Sequence, residues 1–101
     1  MESESELTIA DNRAANRYEA SLDGLPAGFS TYREEPGRVT FVHTVVPPEF
    51  EGRGIGSRLA KFAIDDVQSR GLRIRPVCPF VRAWLRRHAE YDSIVDYPAA
   101  T

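Results

Sequence analysis

Lysine, cysteine, tryptophan and histidine are all scarce in this chain: one Lys, one Cys, one Trp and two His among 101 residues. A single cysteine, Cys78, excludes an intrachain disulfide and a cysteine-rich zinc cluster. It suits a reducing compartment, so the expected location is the cytoplasm, with no metal. No apolar run approaches the ~20 residues that a membrane-spanning helix needs, and no membrane partner is expected. Charge of one sign is also missing. Thirteen basic and fifteen acidic residues leave a formal charge of −2, which argues against a general nucleic-acid binder. Residues 1–6 are acidic and have neither the basic nor the apolar stretch of a signal peptide. We expect that segment and residues 98–101 to be disordered tails on one domain spanning 7–97.

The 42% of apolar residues suffice for one modest core. Twelve of the thirteen basic residues are Arg, whose forked guanidinium suits phosphate. Residues 7–11 and 16–22 read as strands joined by a polar turn at 12–15, and Asp23-Gly24 is a turn signal. A third strand is expected over 27–34 and a fourth over 38–46. In the fourth, strict alternation places Phe41, His43 and Val45 on one face and Val42, Thr44 and Val46 on the other. Both faces are largely apolar, so a central strand covered on two sides is expected. Ile55, Leu59, Phe62, Ala63 and Val67 recur at helical spacing over 54–70, and Gly71 ends the run. A fifth strand follows at 72–77. A second helix opens at Pro79 and is expected to bury Phe80, Val81, Trp84, Leu85 and His88. The fold class is α+β (α/β-like), with a mixed, mostly antiparallel sheet. Strand 38–46, helix 54–70 and strand 72–77 form a right-handed βαβ crossover, so two parallel strands end on one sheet edge.

That edge carries the most informative segment, Pro47-Pro48-Glu49-Phe50-Glu51-Gly52-Arg53-Gly54-Ile55-Gly56-Ser57-Arg58. Alternate glycines between a strand and a helix let backbone approach a ligand, and free N–H groups of the first helical turn favour an anion such as phosphate. The plain alternative is a flexible turn. Neither of two common phosphate loops fits. No Lys follows the glycines, as a P-loop requires, and Gly52, Gly54 and Gly56 alternate strictly where a dinucleotide fingerprint has Gly-x-Gly-x-x-Gly.

Glu51 to Gly56 resembles the signature of the GCN5-related N-acetyltransferase family: Gln or Arg, two residues, Gly, one residue, then Gly or Ala. Glu51 departs from the usual first residue. Phe41 to His43, the Pro47-Pro48 pair, Val77-Cys78-Pro79-Phe80-Val81 and Arg86-Arg87-His88-x-Glu90-Tyr91 extend the likeness to a minimal, single-domain subfamily over residues 7–95. The resemblance implies a minimal fold of that family with two main helices and a splayed parallel strand pair. It implies acetyl-CoA as co-substrate, with the pantetheine arm of coenzyme A in the splay. A backbone N–H around Val45 or Val46 would hold the thioester oxygen, and Glu51, Gly52, Arg53, Gly54, Ile55, Gly56, Ser57 and Arg58 would contact the cofactor.

Two side chains are candidates for catalysis. His43 has a suitable ordinary pKa for taking a proton from an amine; it could equally be a hydrogen-bonded strand residue. Cys78 precedes a helix N-terminus, which favours thiolate. It could accept an acetyl group, line the cofactor channel, or serve as a small apolar residue. Direct attack by the amine is the habit of the family. Arg82, Arg86 and Arg87 are either a solvated helix face or an attractor for cofactor phosphates. The acceptor, whether small-molecule amine, polyamine or protein lysine, stays open, as does monomer against homodimer. The rival functions are a non-catalytic acyl-CoA-binding module and an interaction protein.

Overall fold

Three successive antiparallel pairings and one parallel pairing build a five-stranded sheet in the order β1-β2-β3-β4-β5. The structure is a computed structural model that describes residues 6–99; the two terminal expectations fall mostly outside the described residues. The strands are β1 Leu7–Asn12, β2 Arg17–Leu22, β3 Leu25–Glu35, β4 Arg38–Val45 and β5 Arg73–Pro76. Helix α1 is Ile55–Ser69 and α2 is Pro79–Arg86, with 3-10 turns at Arg13–Ala15, Pro48–Phe50 and Ala89–Ile94. Asp23 and Gly24 both have positive φ, 52° and 84°, as a tight two-residue hairpin demands. The turn also holds Glu6, whose N–H donates to Asp23 Oδ1 at 2.7 Å.

Tyr18, Ala20, Tyr32, Val39, Phe41 and Ile74 line one face of the sheet and are buried under the helices with Leu59, Ala63, Ile64, Val67, Val81, Trp84 and Leu85. Trp84 joins the two helices: its Nε1–H donates to Ser57 Oγ at 2.9 Å. The indole also stacks on His88, centroids 3.7 Å apart. His88 Nδ1 lies 2.6 Å from the Trp84 carbonyl, which can only accept, so this nitrogen carries the proton and His88 caps the end of α2. Truncating a buried Trp of this kind typically costs ~3–5 kcal/mol.

The far end of the sheet is closed by polar groups. Tyr18 Oη donates to Asp66 at 2.7 Å, and Tyr32 Oη to Asp11 at 2.6 Å. Burial, followed by hydrogen bonding to these carboxylates, pushes both phenol pKa values up. Glu34 accepts from Arg70 and Arg13, which hold its carboxyl below the usual range.

The fourth strand departs from its expected alternation. Tyr32 faces Phe41 and Thr31 faces His43, so Val42 is an extra residue, a β-bulge. The bulge reverses the parity. Phe41 and Thr44 share the helix face, whereas Val42 and His43 are exposed on the other. The expected grouping of Phe41 with His43 is therefore incorrect, and so is coverage on two sides. No helix among the described residues covers the face carrying Arg17, Glu19, Thr31, Arg33 and His43. Two further expectations change. Phe62 and Phe80 are each 40% exposed: Phe62 lies at the margin of the apolar arc of α1, where Ala60 and Ile64 take the central places, and Phe80 stands on the open first turn of α2.

Candidate functional site: a splayed strand pair and a glycine loop

Parallel pairing of β4 with β5 runs from Arg38↔Arg73 to Phe41↔Pro76 and stops there. Pro76 has no N–H to continue a ladder, and the chain turns into α2. The N–H groups of Val77 and Cys78 both donate to the Phe41 carbonyl, at 3.0 and 2.8 Å, closing the fork. Beyond it β4 runs on through Val42–Val45 without a partner on that side. The wedge so formed is a cleft in which an extended ligand can meet strand backbone.

Two adjoining cavities lie at the mouth of the wedge. One, about 400 Å³, is lined by Thr44, Val45, Val46, Glu51, Gly56 and Phe80. The other, about 280 Å³, is lined by Val46, Phe50, Glu51, Gly52, Gly54, Ile55, Gly56, Ser57, Phe80 and Arg87. They share Val46, Glu51, Gly56 and Phe80 and make one groove from the end of β4 to the first turn of α1. A third hollow lies on the open sheet face, walled by Phe29, Pro26 and Pro47. It has no part in the wedge.

The glycines have different reasons. Gly52 and Gly54 have φ of 83° and 74°, the left-handed region that disfavours side chains. Gly54 is the N-cap of α1 and brings no side chain to the N–H groups of the first turn; the first intrahelical bond there is Arg58 N–H to the Gly54 carbonyl. Gly56 is helical, and a Cβ would come within 2.9 Å of Phe80 Cζ. Its role is close packing of that ring against the helix start. Gly28 does likewise for the strand end, since a Cβ there would lie 2.9 Å from the Val45 carbonyl oxygen.

Of the residues singled out in the sequence, Val45, Val46, Glu51, Gly52, Gly54, Ile55, Gly56 and Ser57 line the groove. The Ser57 hydroxyl oxygen already accepts from Trp84, leaving its O–H to donate. Arg53 and Arg58 line a different cavity, with Leu7, Leu22 and Ile55, and the Arg53 guanidinium sits over the Phe50 ring at 5.8 Å. Cys78 is buried at the N-cap of α2. Its Sγ is 3.3 Å from Thr44 Oγ1, which is 3.0 Å from Ser30 Oγ. Thr44, not Cys78, reaches the groove wall. His43 is on the open face of the sheet and Cys78 on the helix side, and the two are not brought together. Thr44, Phe50 and Phe80 are groove residues that the sequence did not single out, and of the three arginines it named as an attractor for cofactor phosphates only Arg87 lines the groove. Periodicity places Phe80 in the core, and Arg87 is one of three similar arginines.

A mixed sheet with a single parallel pair that splays, and a glycine-rich turn into a helix, is the fold that the resemblance in the sequence implies. The model of the GCN5-related N-acetyl-transferase family matches residues 17–94, and the chain belongs to that family. It is 28% identical over 90 residues to Protein NATD1 of Xenopus tropicalis, covering 87% of this chain and 83% of that protein. The cow protein of the same name is 27% identical over 84 residues, covering 81% and 74%. Among solved structures, a GCN5-like protein of Staphylococcus aureus superposes with a TM-score of 0.70 at 22% identity, over 91% of this chain and 90% of the other. A ribosomal-protein-alanine N-acetyltransferase of Brucella melitensis gives 0.60 at 15% identity, over 98% and 96%. These two similarities are of fold alone.

Proposed function

We propose that this chain transfers an acetyl group from acetyl-CoA to a primary amine. The splay of β4 from β5, opening into a groove that ends at the N-terminus of α1, is the observation that carries it. The groove residues fit coenzyme A. Val45 and Val46 lie where backbone N–H groups would meet the thioester oxygen, and Gly54 leaves the N–H groups of Ile55, Gly56 and Ser57 free of any side-chain cap for the pyrophosphate. When bound, the co-substrate supplies the activated acetyl group. The chain positions it, donates backbone hydrogen bonds to the developing oxyanion and excludes water along the Phe80 wall.

Direct attack needs a neutral amine. With the groove on the helix side, the amine has access from the uncovered sheet face, and His43 is exposed on that face. It is the base we assign. Cys78 has a different place: it reaches the groove only through Thr44, which favours a supporting role over that of acetyl carrier. A cytoplasmic location is part of the same proposal.

The test is thiol release from acetyl-CoA with a panel of peptide lysines, polyamines and monoamines, with product masses. Amine-dependent release with an acetylated product is expected. Saturable binding of coenzyme A with no product from any amine would favour the rival, a non-catalytic acyl-CoA-binding module.

A further inference from the structure

The family signature places Gln or Arg at the position of Glu51, whereas here a carboxylate lines the cavity at the start of α1. An anion site with its nearest side chain anionic is short of positive charge. Arg53 and Arg58, the loop's own cations, do not remedy this, because they line the cavity beside Leu7 and Leu22. The one cation among the described residues that lines the same cavity as Glu51, Gly54, Gly56 and Ser57 is Arg87, at the C-cap of α2.

Arg87 is otherwise unused. Its neighbours on α2 are engaged: Arg82 donates to the Val77 carbonyl at 3.0 Å, and Arg86 lies over the Tyr97 ring at 4.5 Å. Arg87 makes no ion pair or side-chain hydrogen bond among the described residues, and neither does Glu51, although both face one cavity of about 280 Å³. Trp84 holds the geometry, because its bond to Ser57 ties α2 to the first turn of α1.

We propose that Arg87 supplies from α2 the guanidinium that meets the pyrophosphate of coenzyme A, and that Glu51 opposes it as a built-in brake on cofactor affinity. The groove would therefore hold the pyrophosphate between backbone N–H groups of α1 on one side and a forked cation on the other. Given the coenzyme A reading above, on which this rests, the relevant charge has moved from the loop to the second helix.

Calorimetric titration with CoA and with dephospho-CoA tests it in the wild type, Arg87→Gln, Arg87→Lys and Glu51→Gln. Arg87→Gln is expected to weaken both ligands about tenfold, the scale of one charge-assisted hydrogen bond. Arg87→Lys should recover part of the loss. Glu51→Gln should tighten both ligands several-fold, and less so at high salt. Thermal melts of each variant confirm folding, which exposed positions should preserve. Arg87→Gln binding as wild type does, or a loss for CoA that vanishes with dephospho-CoA, would overturn the pyrophosphate assignment. A wild type that binds neither ligand would instead sink the coenzyme A reading itself.

Discussion

Cys78 Sγ and Thr44 Oγ1 are 3.3 Å apart, the first on the turn that enters α2 and the second on β4 beyond its last pairing with β5. The contact spans the wedge just behind its mouth. Ser30 extends it at 3.0 Å from Thr44, so three small polar side chains, two of them almost fully buried, link β3, β4 and α2. Thr44 alone of the three lines the groove. A thiol screened in this way braces the fork better than it attacks a thioester.

Cys78→Ala is accordingly expected to keep most acetyl transfer while losing ~1–2 kcal/mol of stability, the scale of a small buried side chain and its weak hydrogen bond. Mass spectrometry of wild type incubated with acetyl-CoA alone should find no acetylated Cys78. A stable adduct there, with an inactive Cys78→Ala protein, would show that Cys78 is the acetyl carrier after all.

His43→Ala tests the base. The expected result is a fall in kcat of about 10²-fold or more near neutral pH, the usual contribution of a general base, with coenzyme A affinity unchanged. An unchanged kcat would remove His43 from the mechanism.

The two kinds of glycine should respond differently. Gly54→Ala meets open space but must hold φ near 74°, which costs ~1–2 kcal/mol. Gly56→Ala forces the Phe80 ring to move, since the new Cβ would lie 2.9 Å from Cζ. Because that ring is partly exposed it can swing, and alanine favours the helix by up to ~1 kcal/mol. Gly56→Ala should therefore melt near wild type yet bind coenzyme A more weakly, measurable by paired melting and titration.

Acid and alkali should both unfold the chain, for opposite reasons. Hydrogen bonds from Arg70 and Arg13 depress Glu34, that from Arg38 depresses Glu35, and those from Arg73 depress Asp96. A depressed carboxyl stabilises the fold above its unfolded pKa, and that contribution is lost as pH falls through the folded value. Melting temperature should fall below about pH 4. Tyr18 and Tyr32 are raised, chiefly by burial. Their contribution is complete below the unfolded phenol pKa and is lost as pH rises above about 10. A melting temperature flat from pH 3 to pH 11 would contradict both.

Much of the fold was legible because its signals were local. Asp23-Gly24 announced a hairpin, the apolar spacing from Ile55 to Val67 announced α1, and Pro79 its successor. The groove backbone was legible from the glycines. What could not be read was the parity of β4. From Thr40 to Val46 every side chain is apolar or neutral, apart from His43, so an extra residue at Val42 leaves no break in the pattern. Only pairing with β3 reveals that His43 faces away from the helices. Phe80 misled for a related reason: helical spacing identifies an apolar stripe but not which turn of it stands beyond the core. Arg87 needed the docking of α2 on α1, a tertiary relation that Trp84 and Ser57 establish across 27 positions of sequence.

The most direct test of the groove is a two-dimensional amide NMR titration of the 101-residue chain with acetyl-CoA. The expected result is saturable shifts confined to Val45, Val46, Gly52, Gly54 to Ser57, Phe80 and Arg87, with the far end around Tyr18, Glu34 and Arg70 unmoved. Shifts centred instead on the Leu7, Leu22 and Arg58 cavity, or none at all, would contradict coenzyme A binding in the splay of β4 and β5.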